Sequence, residues 1–233
     1  MHTIDVRNVQ PIRLACSHNV FCMQVRNYSK LAILILFCFA LVGMRVVYTE
    51  TPVYIFLIWN LFLAVVPYIL SKIALDLAQQ RSVVTTSLLV LFCILFLPNA
   101  SYIVTDLFHL RTRSAVPIWF DSVMIFTFAL TGLILFYRSL ENLERISLLF
   151  FNRTITIFNI VLVIFASAFG MYLGRYLRFN SWDIVSDPLY LIQEIAQRIL
   201  YPLEHSQAWG MTIVYGLFLM VIYFLMRPNR VEV

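Results

Sequence analysis

Charge is what this chain has little of. Only 12% of its 233 residues are charged, while 61% are hydrophobic, whereas a soluble domain carries about a quarter charged residues to face water. A water-exposed globule is therefore excluded, and lipid must cover most of the exterior. Lysine is scarcer still: the basic residues are 15 Arg and only Lys30 and Lys72. The net charge of +5 comes from residues scattered between apolar runs rather than clustered on one element, so no nucleic-acid partner is expected. The four cysteines, Cys16, Cys22, Cys38 and Cys93, form neither a C-x-x-C pair nor a Cys/His ligand spacing. They read as free thiols, with no disulfide frame, no metal site and no cofactor implied. The metalloprotease H-E-x-x-H, the phosphate-binding Walker loop and the G-x-S-x-G elbow are all missing. Thirty mixed residues precede the first apolar run and no small-residue cleavage site follows it, so no cleavable signal peptide is expected. Internal repeats and low-complexity stretches are also lacking.

What the chain has instead is length without charge. A helix needs about 20 mainly apolar residues to cross about 30 Å of hydrocarbon. Runs of that kind lie at 51–71, 82–105, 154–174 and 206–226. Residues 114–137 join them, interrupted once by Asp121, and 31–48 is the weakest, with Arg45 near its end. The expected fold is all-α: a polytopic bundle of six transmembrane helices over residues 31–227, or five if the first run does not cross. A polar N-terminal tail (1–30) and a short C-terminal tail (228–233) complete the chain, and no soluble domain is expected.

Orientation follows from the distribution of Lys and Arg. With six spans and a cytoplasmic N-terminus, the inner segments hold 11 of these residues and the outer ones 6. Both termini are then cytoplasmic. With five spans the balance reverses. Asp187-Pro188 reads as an N-cap followed by proline at the first helical position. Leu189, Ile192, Ile195, Ile199 and Leu203 recur after it at helical spacing, which predicts an amphipathic helix over 188–201 on the outer surface. The 138–153 connection, where Glu141, Glu144 and Arg145 mix with leucines, reads as a short inner interfacial helix.

Ionisable groups near membrane depth are costly, so their placement is the best clue to a site. In this topology they gather on the outer side: Arg45, Asp121, and the run after Pro98, which is expected to break the third span. Tyr102, Asp106, His109 and Arg113 are spaced to share one face of a resumed helix. Span five ends in Arg175, Arg178, Asn180, Trp182 and Asp183. At membrane depth Asn60 requires a hydrogen-bond partner on a neighbouring helix. Ala166, Gly170 and Gly174 recur every four residues, a spacing that lets backbones approach closely. Trp119, Trp182 and Trp209 lie near span ends, where such rings anchor at the interface.

Two long stretches carry a family resemblance. The first is Leu97-Pro98-Asn99-Ala100-Ser101-Tyr102-Ile103-Val104-Thr105-Asp106-Leu107-Phe108-His109-Leu110, flanked by Trp59-Asn60-Leu61 and Trp119-Phe120-Asp121. The second is Gly174-Arg175-Tyr176-Leu177-Arg178-Phe179-Asn180-Ser181-Trp182-Asp183. With these, roughly residues 35–225 of the chain resemble the bacterial membrane family catalogued as domain of unknown function 1361. The chain departs from it at Ser101, where members tend to carry proline. The resemblance implies a multi-span protein of the bacterial cytoplasmic membrane, and no activity, substrate or catalytic residue.

The residues themselves admit several chemistries. Asp106 and His109, three apart, are candidates for general base and acid. Arg45, Arg111, Arg113, Arg175 and Arg178 suit a bidentate grip on phosphate or carboxylate, or equally on internal carboxylates. The outer segments hold six Arg against seven Asp or Glu, which fits internal pairing. The leading expectation is an outer polar pocket for a lipid head group or small anionic ligand, formed by Asn99, Asp106, His109, Arg175, Arg178 and Asp183. Pro98, Asn60, Gly170 and Gly174 would serve packing. Membrane lipids are the expected partners. The alternatives are a membrane-embedded enzyme acting on a lipid-linked substrate and a non-catalytic scaffold subunit.

Overall fold

The structure, a computed structural model, describes residues 10–110, 116–179 and 181–227, with side chains from residue 29 onward except those of 184 and 185. Among these residues every regular element is a helix. The elements are α1 (Gln10–Thr49), α2 (Phe56–Gln79), α3 (Val83–Tyr102) with a 3-10 continuation (Ile103–His109), and α4 (Ile118–Phe150). They are followed by α5 (Arg153–Tyr176), the single turn α6 (Asp183–Ser186), α7 (Pro188–Leu200) and α8 (Ser206–Met226). Six helices among the described residues are long and apolar enough to cross a membrane: Ser29–Thr49, α2, α3 with its continuation, α4, α5 and α8.

The up-and-down order puts opposite helix ends together. One end of the bundle, here the Asp106 end, gathers the close of α1, α3 and α5 with the start of α2, α4 and α8. The other, the Glu144 end, holds the turns between α2 and α3 and between α4 and α5. The apolar stretch of α4 is 50% buried, against 22% for the stretches in α1, α3 and α8, so α4 is the central helix. Its Met124, Ile125, Phe128, Leu135 and Leu140 pack against Cys38, Leu57, Leu61, Leu97, Ile103 and Ile164. Outward positions such as Phe158, Leu91 and Val214 are exposed, as a lipid-facing surface requires.

Close helix crossings are made by glycine. A methyl group on Gly132 would lie 2.5 Å from the Ala100 carbonyl oxygen, and one on Gly170 would lie 2.7 Å from Pro98 Cγ. Gly174 faces Tyr102 in the same way, at 3.3 Å. Gly170 and Gly174 thus form a groove on α5 that receives Pro98 and Tyr102, the residues four apart on α3. This contact accounts for one departure from expectation. Pro98 does not break the third span: α3 runs through it to Tyr102, and only then tightens to a 3-10 helix. The packing opposite holds the proline inside the helix, at the cost of the hydrogen bond its nitrogen cannot make.

Two further boundaries differ. α1 is helical from Gln10, so helix extends well into the residues read as a polar tail. Residues 138–150 are not a separate interfacial helix but the last three turns of α4. There Arg138 and Arg145 both pair with Glu141 on one face (3.2 and 2.7 Å), while Leu140, Leu143 and Glu144 turn inward. Helix α7 begins as expected, with the Asp187 side chain accepting from the Tyr190 amide at 3.4 Å and Pro188 at its first position.

Candidate functional site

At the Asp106 end the 3-10 segment turns Asp106 into the bundle, where it is 1% exposed. Asn60, one turn into α2, donates Nδ2 to Asp106 Oδ2 at 2.8 Å. The other carboxylate oxygen, Oδ1, has no hydrogen-bond partner among the described residues. It lies 3.6 Å from Arg175 Nη1 and 3.8 Å from His109 Nδ1. Arg175 Nη2 is 3.4 Å from the same histidine nitrogen, and the guanidinium lies over the Phe108 ring. His109 is 41% exposed and its ring packs against Phe56. Three residues, Asn60 of α2, His109 of α3's continuation and Arg175 of α5, therefore converge on one buried carboxylate, with the histidine reaching outward from it.

Beside this cluster lies a cavity of about 370 Å³ between α2, α3, α5 and α7. Trp59, Phe169, Phe179 and Leu191 supply its apolar wall; Asn60, Asn99, Tyr102 and Ser181 supply its polar atoms. Asn99 Nδ2 donates to Ser181 Oγ at 2.9 Å, and that hydroxyl donates to the Leu95 carbonyl at 3.3 Å. The segment after α5 is thereby fastened to α3. Asn60 belongs to both places, lining the cavity while holding Asp106.

The expected site residues are thus partly gathered. Asp106, His109, Arg175 and Asn60 meet, and Asn99 lies on the cavity wall with Pro98, Gly170 and Gly174. Arg178 stands apart, exposed and in left-handed backbone (φ 59°) at the turn that ends α5. Asp183 accepts from Ser186 Oγ at 3.1 Å within α6. Arg111, Arg113 and Asn180 lie outside the described residues. Arg45 takes the internal option: its Nε donates to Asp121 Oδ1 at 2.7 Å, with both side chains buried.

Two polar networks were missed by the sequence reading, although Glu194 and Arg198 stand four apart, the spacing of an ion pair along a helix. Glu144, buried in α4, accepts from Tyr223 Oη at 2.5 Å and pairs with Arg227, about 80 positions along the chain. Arg198 on α7 is buried, bonds Glu194 at 2.6 Å, and presents its backbone carbonyl to Trp209 Nε1 at 2.8 Å. Both pairings are fixed by helix packing between distant segments or by which face of α7 meets the bundle.

Fold and site together define a multi-pass helical membrane protein with a polar cluster buried at one end. The profile of the family described as "Protein of unknown function (DUF1361)" matches residues 59–222, and the chain belongs to that family. Neither a curated protein nor a solved structure matches it.

Proposed function

We propose that the chain binds the polar head group of a membrane amphiphile in the cavity between α2, α3, α5 and α7, as a binding, sensing or transport component. The observation that carries this reading is the composition of the cavity: amide and hydroxyl groups of Asn60, Asn99, Tyr102 and Ser181 set in an aromatic and aliphatic wall. Ligand sites are typically apolar hollows of about 300–1,000 Å³ with a few placed polar groups. Helix α7, beside the cavity, points Leu189, Ile192 and Ile199 outward, all more than half exposed, which suits a helix lying in the lipid interface. The charge of Arg175 faces Asp106 behind Asn60, so recognition rests on the amides, and head groups with hydroxyl or carbonyl oxygens fit best. By the positive-inside rule the Asp106 end faces outward and both termini are cytoplasmic.

The test is native mass spectrometry of the detergent-purified protein beside an Asn99→Leu variant. A discrete bound mass on the wild type that is lost from the folded variant supports the reading; equal retention, or a bare wild type, removes it.

A second reading, an enzyme acting on a lipid-linked substrate, is favoured by one observation: Asp106 Oδ1 has no hydrogen-bond partner among the described residues, and His109 leads outward from it. Asp106→Asn would then abolish turnover while leaving the bound mass in place.

A further inference from the structure

The Glu144 end holds a second opening, distinct from the cavity above though Ile94 borders both. Helices α3 and α5 touch where Pro98 and Tyr102 meet Gly170 and Gly174. Toward their N-termini they leave a groove of about 550 Å³, floored by Leu143 and Ile146 of α4. The groove follows α3 from Val83 to Ile94, about 16 Å at 1.5 Å per residue. Its lining is mostly aliphatic and aromatic, with Val90, Leu91, Ile160 and Val163 among its walls, which suits an extended hydrocarbon chain.

A polar group marks one place along it. Buried hydroxyls in the spans normally return to the carbonyl four residues back, as Thr131, Ser139 and Ser167 do at 2.7–2.8 Å. Thr86, 3% exposed, does not: its Oγ1 has no hydrogen-bond partner among the described residues, and the residue lines the groove. The Asn159 amide lines it too. Thr86 lies three residues into α3 and Asn159 six into α5, about 5 and 9 Å from the helix starts. The mouth is positive: both helices present their N-termini there, and the exposed Arg81 and Arg153 stand at those starts.

We propose that this groove is a binding site for a single anionic phospholipid. One acyl chain lies between α3 and α5, the ester carbonyl accepts from Thr86 and Asn159, and the phosphate sits at Arg81 and Arg153. The site is independent of the head-group cavity, and either can fail without the other.

The test uses the full chain in phosphatidylcholine vesicles containing phosphatidylglycerol with a diazirine on its acyl chain, followed by mass mapping of the photolabel. Labelling is expected to concentrate on the groove positions of α3 and α5, to be competed by unlabelled phosphatidylglycerol, and to fall about tenfold in Thr86→Val/Asn159→Leu. Leu91→Trp, a substitution at an exposed groove position, should block it by bulk without touching the core. Label spread evenly over exposed positions such as Phe158 and Val214 overturns the proposal. So does label unchanged in both variants, or disulfide-linked dimers of a Leu91→Cys variant, which would assign the slot to a second copy.

Discussion

Arg45 and Asp121 meet side-on inside the bundle, Nε to Oδ1 at 2.7 Å and Nη2 to Oδ2 at 3.2 Å, with Tyr54 beneath the guanidinium. The pair ties the end of α1, where Arg45 interrupts the apolar run, to the central helix. Removing one partner leaves a buried charge uncompensated, which costs about 3–5 kcal/mol. Asp121→Ala should therefore lower unfolding stability in detergent by that order. The double variant Arg45→Met/Asp121→Leu should recover most of it, because the charge goes with its partner. A double variant as unstable as the single would contradict this account.

Glycine substitutions should divide by what the new methyl meets. At Gly132 and Gly170 it would fall within 2.5–2.7 Å of a backbone oxygen or a proline ring, neither of which can swing away. Alanine at either should cost about 1–3 kcal/mol. Gly210 in α8 has nothing within 4 Å, so Gly210→Ala should be neutral or stabilising by up to about 1 kcal/mol. Thermal melts of the three variants in one detergent decide the matter. Equal effects at all three would deny the close α3–α4 and α3–α5 crossings.

Much of the architecture was legible because a span is a matter of length and apolarity, which need no partner to be read. The Asp106 cluster was legible in part, since three of its members sit in two motifs dense with ionisable residues. What failed depended on contacts between distant residues. Pro98 was expected to break a helix, but the gap left by Gly170 accommodates it. The charges of Glu141 and Arg145 read as a separate interfacial helix, yet they pair along α4, which continues through them. Glu144 looked like another surface charge until Tyr223 and Arg227, on the last span, closed around it. Arg178 was grouped with the ligand site for its guanidinium, and its left-handed backbone at the turn that ends α5 carried no sequence signal.

That turn gives a prediction separating backbone from charge. A left-handed conformation costs a non-glycine residue about 1–2 kcal/mol, and Arg178 holds φ 59° while exposed. Arg178→Gly should raise stability by about 1 kcal/mol, read from the melting temperature. Retention of the bound mass should stay as in the wild type, because the cavity wall is built without this residue. Lost retention in a stabilised variant would return Arg178 to the ligand site.

Orientation decides which leaflet each opening serves, and it can be read with two thiols. Cys38 and Cys93 are fully buried, so they should stay silent toward a membrane-impermeant maleimide once Cys16 and Cys22 are replaced by serine. Ser186, after α5, and Gln80, before α3, are both exposed and lie at opposite ends of the bundle. With Lys and Arg concentrated at the Glu144 end, Ser186→Cys should react in intact cells and Gln80→Cys only after lysis. The head-group cavity then opens to the outer leaflet, and the groove at Thr86 draws its phospholipid from the inner one, where Arg81 and Arg153 meet the anionic surface. The reverse labelling would exchange the two leaflets and place the Asp106 cluster inside, ending the outer-pocket reading while leaving the groove's chemistry intact.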